Sequence, residues 1–177
     1  MWLQVLPNAV SDEDINKIIS LKDKYKLSPG KIGTGKYDKH RKSEVIYFDP
    51  DYELWVFNII GTIGEWANKF FKFDIERVET AQYSEYDESY NGAYDWHIDS
   101  FGVHTNPQRK LSITIQLSDS EDYEGGDFML EVEKTDYDIR KKGTAIIFPS
   151  YLRHQVTPVT KGNRKSLVSW IQGKEFK

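Results

Sequence analysis

"GAYDWHIDSFG", residues 92–102, places a histidine and an aspartate two positions apart, His97 and Asp99, in an aromatic, strand-like run. Strand side chains alternate with period two. The pair would therefore share one face with Cα atoms about 6–7 Å apart, close enough to share one metal ion. With four His and 15 Asp in 177 residues, chance alone produces a His-x-Asp with a probability of about one in three. The pair needs support from elsewhere. By the same alternation Trp96 faces away from the metal, and Tyr94 lies on the face opposite His97 unless the strand bulges.

Support comes from "FPSYLRHQVTPVTKGNRKSLVSW", residues 148–170. His154 opens a strand and Arg164 follows it by ten positions. The chain has only six Arg, so an arginine at one given offset arises by chance about 3% of the time. Two His and one carboxylate from two strands form the facial triad of a non-haem Fe(II) oxygenase site, with three coordination positions open. A 2-oxo acid fills two of these through its 1-carboxylate and keto oxygen and leaves the third for O2. Its far carboxylate then calls for a fixed cation, and arginine's planar, permanently charged fork suits that task. With "TKGN" as the turn, the strands of His154 and Arg164 read as a hairpin that brings Arg164 beside the second histidine. Ser166 and Trp170 share its face, and Ser166 offers a hydrogen bond.

Composition narrows the alternatives. The absence of Cys removes disulfides, thiolate zinc sites, iron–sulfur clusters and cysteine nucleophiles, so a metal must be held by N and O ligands. A net charge of −4 disfavours a generic polyanion binder. "MWLQVLPNAV" has no basic n-region and no long apolar run, and reads as neither signal peptide nor membrane span. The expectation is a cytoplasmic protein with no membrane and no nucleic-acid partner. The length, 5 Trp, 11 Tyr and 9 Phe supply one core without staples. We therefore read residues 1–177 as a single domain, with helical support over about 1–74 and a catalytic barrel over about 75–173.

Along the chain, "WLQVLP" reads as a short edge strand. Residues 11–25 read as an amphipathic helix carrying Ile15, Ile18 and Ile19, with Ser11 and Asp14 as a capping box. Residues 28–42, rich in Gly and basic side chains, read as a mobile loop, either a solvated connector or a flap over substrate. "EVIYFDP" is a strand running into Asp49 as N-cap and Pro50 at the first helical position. The helix that follows carries an apolar stripe of Tyr52, Trp55, Val56, Ile59, Ile60, Ile63, Trp66, Ala67 and Phe70. Strands are expected near 76–86, 94–98, 109–118, 126–133, 143–148, 153–159 and 164–172. Two helices leading such a run give an α+β protein, the helices backing a β-sandwich or jelly-roll barrel.

His97-x-Asp99, His154 and Arg164, with "YEGGDF" and "GTAIIFPSYLRHQVTPVTKGNR", resemble the prolyl 4-hydroxylase-like branch of the 2-oxoglutarate and Fe(II)-dependent oxygenases over roughly residues 76–172. The resemblance implies a double-stranded β-helix barrel, with iron on His97, Asp99 and His154 and 2-oxoglutarate anchored by Arg164. It implies a hydroxylase of prolyl residues in a peptide or protein that converts 2-oxoglutarate and O2 to succinate and CO2, with ascorbate as a candidate reductant. Tyr86 matches a tyrosine found near the cosubstrate. Gln116 stands where relatives commonly carry another tyrosine, and its amide can substitute. Arg109 and Trp170 match positions lining the substrate mouth. The carboxylate of Asp99 favours hydroxylation over halogenation.

Other readings stay open. Another side chain, a free amino acid or a small molecule fits the same chemistry. A non-catalytic barrel with structural zinc would want a fourth protein ligand and leaves Arg164 without a task. Nucleic-acid demethylases of the superfamily carry an arginine where this chain has Trp170. His104 reads as a fourth ligand, a substrate contact or a solvated loop residue. Residues 31–42, 84–94 and 100–108 are expected to rim the opening and to suit a peptide with acidic flanks.

Overall fold

Local signals set both helices. The computed structural model describes residues 2–31, 39–100, 107–131 and 137–175. Helix α1 (Asp12–Ser20) starts at Ser11, whose hydroxyl accepts the Asp14 N–H at 3.1 Å and lies 2.9 Å from the Asp14 carboxylate. This satisfies a free donor of the first turn. Helix α2 (Pro50–Phe71) starts at Asp49, whose carboxylate accepts the Asp51 N–H at 2.9 Å, and ends at left-handed Lys72. Both caps are where the sequence puts them.

The buried face of α2 keeps Val56, Ile60, Ile63 and Ala67 of the expected stripe, with Trp55 and Ile59 packed at its edge, and departs from it at the ends. Val56, Phe57, Ile60, Ile63, Gly64 and Ala67 are buried, whereas Tyr52, Trp66 and Phe70 are exposed. Glu53 has non-helical dihedrals (φ −119°, ψ 36°), which puts Tyr52 before it out of phase with the residues that follow. The Glu53 side chain instead turns inward to Lys24 (2.6 Å), the Tyr25 hydroxyl (2.9 Å) and the Trp55 indole (3.0 Å). Gly64 lets the helix approach β-structure closely, because a Cβ there would collide with Ile171.

The strands are β1 (Gln4–Leu6), β2 (Ser28–Pro29), β3 (Arg41–Lys42), β4 (Glu44–Phe48), β5 (Ile75–Asp87), β6 (Ala93–His97), β7 (Gln108–Gln116), β8 (Tyr123–Gly125), β9 (Phe128–Leu130), β10 (Ala145–Pro149), β11 (His154–Val156) and β12 (Val159–Gly173). The larger antiparallel sheet runs β1-β10-β7-β12-β5-β4-β2, with β8 also paired to β12. The smaller runs β3-β6-β11-β9. Period-two alternation divides the larger sheet cleanly. Ala81, Tyr83, Leu111, Ile113 and Ile115 join the core under the helices, while Gln82, Ser84, Tyr86, Ser112, Thr114 and Gln116 take the opposite face.

This is the double-stranded β-helix the resemblance implies, in the form of two facing sheets; among the described residues they do not close into a barrel. The division at residue 74 is corrected, because β1, β2 and β4 enter the larger sheet and β3 enters the smaller one. The reading of 28–42 as a loop is corrected at its two ends, which are paired, Ser28 with Val45 and Arg41 with Tyr94; residues 32–38 lie outside the described residues. Residues 84–87 belong to β5. Among the described residues no helix is long and apolar enough to cross a membrane.

The expected hairpin between His154 and Arg164 does not form. β11 pairs with β6 and β9, and β12 pairs with β5, β7 and β8, so the two residues sit on different sheets. The crossing is at Thr157–Val159. There the Thr157 N–H donates to Asp127, the Pro158 carbonyl accepts from Gly126, and the Val159 N–H donates to Gly92. Pro158 has no N–H to continue a ladder. "TKGN" is therefore absorbed into β12 opposite β8, with Gly162 at φ +74°.

Candidate active site

His97 ends β6 and His154 begins β11, and the two are direct cross-strand partners. Asp99 lies just beyond the end of β6, not on it as the alternation argument assumed. The backbone N–H groups of Asp99 and Ser100 both donate to the Ser150 carbonyl at 3.0 Å, which holds the bend. The side chains nevertheless converge. His97 Nε2 is 3.7 Å from Asp99 Oδ1, and His154 Nε2 is 3.4 Å from Asp99 Oδ2. One ligand atom from each residue lies within 4.8 Å of the others.

The backbone sets the imidazole tautomers. His97 Nδ1 is 2.7 Å from the Asp95 carbonyl and His154 Nδ1 is 3.0 Å from the Leu152 carbonyl. A carbonyl only accepts, so each Nδ1 carries the proton and each Nε2 turns its lone pair to the shared centre. The Ser112 hydroxyl donates to Asp99 Oδ2 at 2.7 Å and lies 3.0 Å from the Ser150 hydroxyl. The Phe148 ring meets His154 edge-on with centroids 4.7 Å apart. Burial, with the neighbouring His154, pushes His97 down to about 4. Burial opposes ionisation of Asp99, but His154, His97 and the Ser112 hydroxyl outweigh it and hold the carboxyl below its usual range. Two neutral imidazoles and one carboxylate fit a divalent cation of the iron type.

Arg164 reaches the same cavity from β12, where it pairs with Tyr86. Its guanidinium is 1% exposed and 5.4 Å from the Tyr86 ring centroid. Nη1 makes a long 3.4 Å contact to the Ser166 hydroxyl, while Nε and Nη2 are buried with no partner. A buried guanidinium with open donors suits a carboxylate ligand, which would repay its desolvation. The cavity between the sheets is about 490 Å³, and Tyr86, Arg164 and Ser166 lie on its wall. Gln116 pairs with Ser166 but stands off the wall, its buried Oε1 unpartnered. Residues 87–93, expected at the rim, do not line the cavity.

Arg109 and Trp170 also line the cavity. The Arg109 guanidinium lies 3.9 Å over the Trp170 ring and clamps both oxygens of Glu79 through Nε and Nη2. On this wall Ser112 and Glu79 carry no role in the sequence reading, whereas Arg41 belongs to the basic stretch 31–42 and Tyr94 to the stretch 84–94, both expected to rim the opening. Ser112 had a signal in the alternating small polar positions of "SITIQ". Glu79 had none. His104 lies outside the described residues.

A family model described as the 2OG-Fe(II) oxygenase superfamily matches residues 81–172, more than half of the chain. A PKHD-type hydroxylase from Alteromonas mediterranea is 33% identical over 103 residues, covering 55% of this chain and 45% of that protein. The PKHD-type hydroxylase YbiX of Escherichia coli is 26% identical over 176 residues, covering 94% and 76%. A prolyl hydroxylase of Trichoplax adhaerens, solved in complex with a hypoxia inducible factor oxygen degradation domain peptide fragment, superposes with a TM-score of 0.76 at 16% identity, covering 97% and 83%. That likeness speaks for the fold. The chain spans about a third to a half of the length of the curated relatives it matches first. The family match runs across both histidines, the aspartate and the buried arginine, and on it the chain belongs to the 2-oxoglutarate and Fe(II)-dependent oxygenase superfamily.

Proposed function

We propose that this protein is a 2-oxoglutarate- and Fe(II)-dependent hydroxylase of prolyl residues in a peptide or protein. The carrying observation is the joint placement of the convergent His97–Asp99–His154 set and the unpaired Arg164 guanidinium on one cavity. His97, Asp99 and His154 would hold the iron, and Arg164 the far carboxylate of 2-oxoglutarate. Bound iron, the oxo acid and O2 supply the oxidation, in which 2-oxoglutarate becomes succinate and CO2 and the substrate gains a hydroxyl.

The chain's own residues position and exclude. Ser112 orients the Asp99 carboxylate, and the Asp95 and Leu152 carbonyls orient the imidazoles. Ser166 adds a weak bond at Arg164, Tyr86 floors the guanidinium, and Gln116 stands behind them with an acceptor to spare. Phe128 and Phe148 pack on His154 and keep water from that side. Arg109 and Trp170, braced by Glu79, form the wall offered to substrate. A peptide substrate is supported by the Trichoplax relative, whose structure holds a peptide fragment.

Anaerobic addition of 2-oxoglutarate to the Fe(II)-loaded protein should give a weak visible charge-transfer band. Folded protein that shows no band overturns the reading. His97→Ala should abolish iron binding, and Arg164→Ala should spare iron but weaken 2-oxoglutarate. Mass spectrometry for a gain of one oxygen across proline peptides tests the substrate.

A further inference from the structure

Among the described residues, Arg41 is a second guanidinium without a counter-ion on the wall of this cavity. It comes from β3, at the edge of the smaller sheet, and is 9% exposed. Its Nε donates to the Ser43 hydroxyl at 2.9 Å and its Nη1 to the Lys31 carbonyl at 2.6 Å, both uncharged acceptors. No ion pair joins it among the described residues. Its plane lies 4.8 Å from the Tyr94 ring centroid, and Tyr94 in turn stacks on His97. It therefore stands one ring away from a ligand of the metal set.

Three arginines thus face one cavity in different electrostatic states. Arg109 is neutralised by Glu79. Arg164, on the opposite sheet, has the open donors assigned above to the oxo acid. Arg41 has its Nη2 donors left over. A guanidinium buried to this degree without a carboxylate is costly, and a carboxylate delivered by a ligand offsets that cost with paired, charge-assisted bonds. With Ser43 and Lys31 holding Nε and Nη1, the fork is already oriented, so little ordering remains to be done on binding.

Resting on the oxygenase reading, we infer that Arg41 is a specificity-determining residue that receives a carboxylate of the substrate. The protein then selects substrates with a carboxylate near the oxidised carbon. That group is either an acidic side chain beside the target residue or the α-carboxylate of a free or C-terminal amino acid.

The test is calorimetric titration of the anaerobic protein loaded with Fe(II) and 2-oxoglutarate, using two matched pairs of probes. One pair is N-acetyl-Glu-Pro-Ala amide against N-acetyl-Gln-Pro-Ala amide; the other is L-proline against L-prolinamide. The wild type should bind the carboxylate member of one pair about tenfold or more tightly than its neutral partner, and the pair that shows this names the source of the carboxylate. In Arg41→Gln the preference should fall to within about twofold, and Arg41→Lys, which keeps charge but not the fork, should stand between. Affinities for Fe(II) and 2-oxoglutarate should not change in either variant. The inference is overturned if the wild type shows no preference in either pair, or if the preference survives in Arg41→Gln. It is also overturned if neutral and charged probes weaken equally, as a purely structural role through Tyr94 would require, or if 2-oxoglutarate binding shifts. Failure of the wild type to bind Fe(II) or 2-oxoglutarate is seen before any probe is added, and overturns the oxygenase reading itself.

Discussion

Tyr94 lies face to face with His97, ring centroids 3.5 Å apart and planes 13° from parallel. Strict alternation forbids this contact, because the two are three residues apart and belong on opposite faces. A bulge in β6 permits it: His97 pairs with His154, but Tyr94 pairs with Val156, so three steps on one strand oppose two on the other. The stack fixes the ring plane of His97. Tyr94→Ala should weaken Fe(II) binding about 3- to 10-fold, the worth of an aromatic pair, whereas Tyr94→Phe should retain it. Anaerobic Fe(II) titration of both variants measures this.

Arg164 is expected to be a stability liability in the ligand-free protein. Its Nε and Nη2 are buried without partners, and removing an uncompensated buried charge stabilises. Arg164→Met should raise the stability of the ligand-free protein by about 1–3 kcal/mol, a shift of about 2–4 °C per kcal/mol in thermal melts at this size. Added 2-oxoglutarate should raise the melting temperature of the Fe(II)-loaded wild type and leave the variant unmoved.

Glu79 and Arg109 should behave as one unit. Two charge-assisted contacts join them, both partners are largely shielded, and Arg109 lies over the Trp170 ring. A double-mutant cycle of Glu79→Gln and Arg109→Ala in urea denaturation should return a coupling of about 1 kcal/mol, and additivity would deny the clamp.

Glu53 supplies the pH dependence of the helical layer. Burial alone would raise its carboxyl, but the hydrogen bonds from Lys24, Trp55 and Tyr25 outweigh burial and hold it below the usual carboxylate range. The unfolded chain then binds more protons than the folded one as pH falls through that range. The stabilisation is present above about pH 4.3 and lost as pH drops through the lower folded value. Glu53→Gln should destabilise by about 1–3 kcal/mol at neutral pH, trimmed because Lys24 is half exposed, and approach the wild type only as pH falls through the lowered folded value. Urea denaturation of both proteins from neutral pH down through the acid range checks this.

Much of the fold could be read along the chain. Ser11 and Asp49 start their helices because a cap is a contact between residues two or three apart, which the chain order itself places. The inner and outer faces of β5 and β7 follow from period-two alternation, which needs only the residue types. His97, Asp99, His154 and Arg164 were legible as a spaced set because the chemistry of an iron and a 2-oxo acid restricts the residue types that can serve. Along α2, Val56, Ile60, Ile63 and Ala67 were legible by their spacing, whereas the inward turn of Glu53 was not, because its backbone break is repaid by Lys24, which lies far off in sequence.

Residue order alone therefore accounts for the helix caps, the alternating strand faces and the spaced set of His97, Asp99, His154 and Arg164 as candidates, all of which rest on local geometry or on the chemical scarcity of suitable side chains. The assembled molecule decided the rest. His154 and Arg164 face each other across a cavity instead of along a hairpin because Pro158 breaks the ladder and sends β12 to another sheet. Tyr94 reaches His97 only through a bulge whose register is set by β11. Arg41 becomes part of the cavity only because β3 pairs with β6. Each of these is a pairing between distant segments, whose free energy depends on which surfaces meet, and no window of the chain contains both partners.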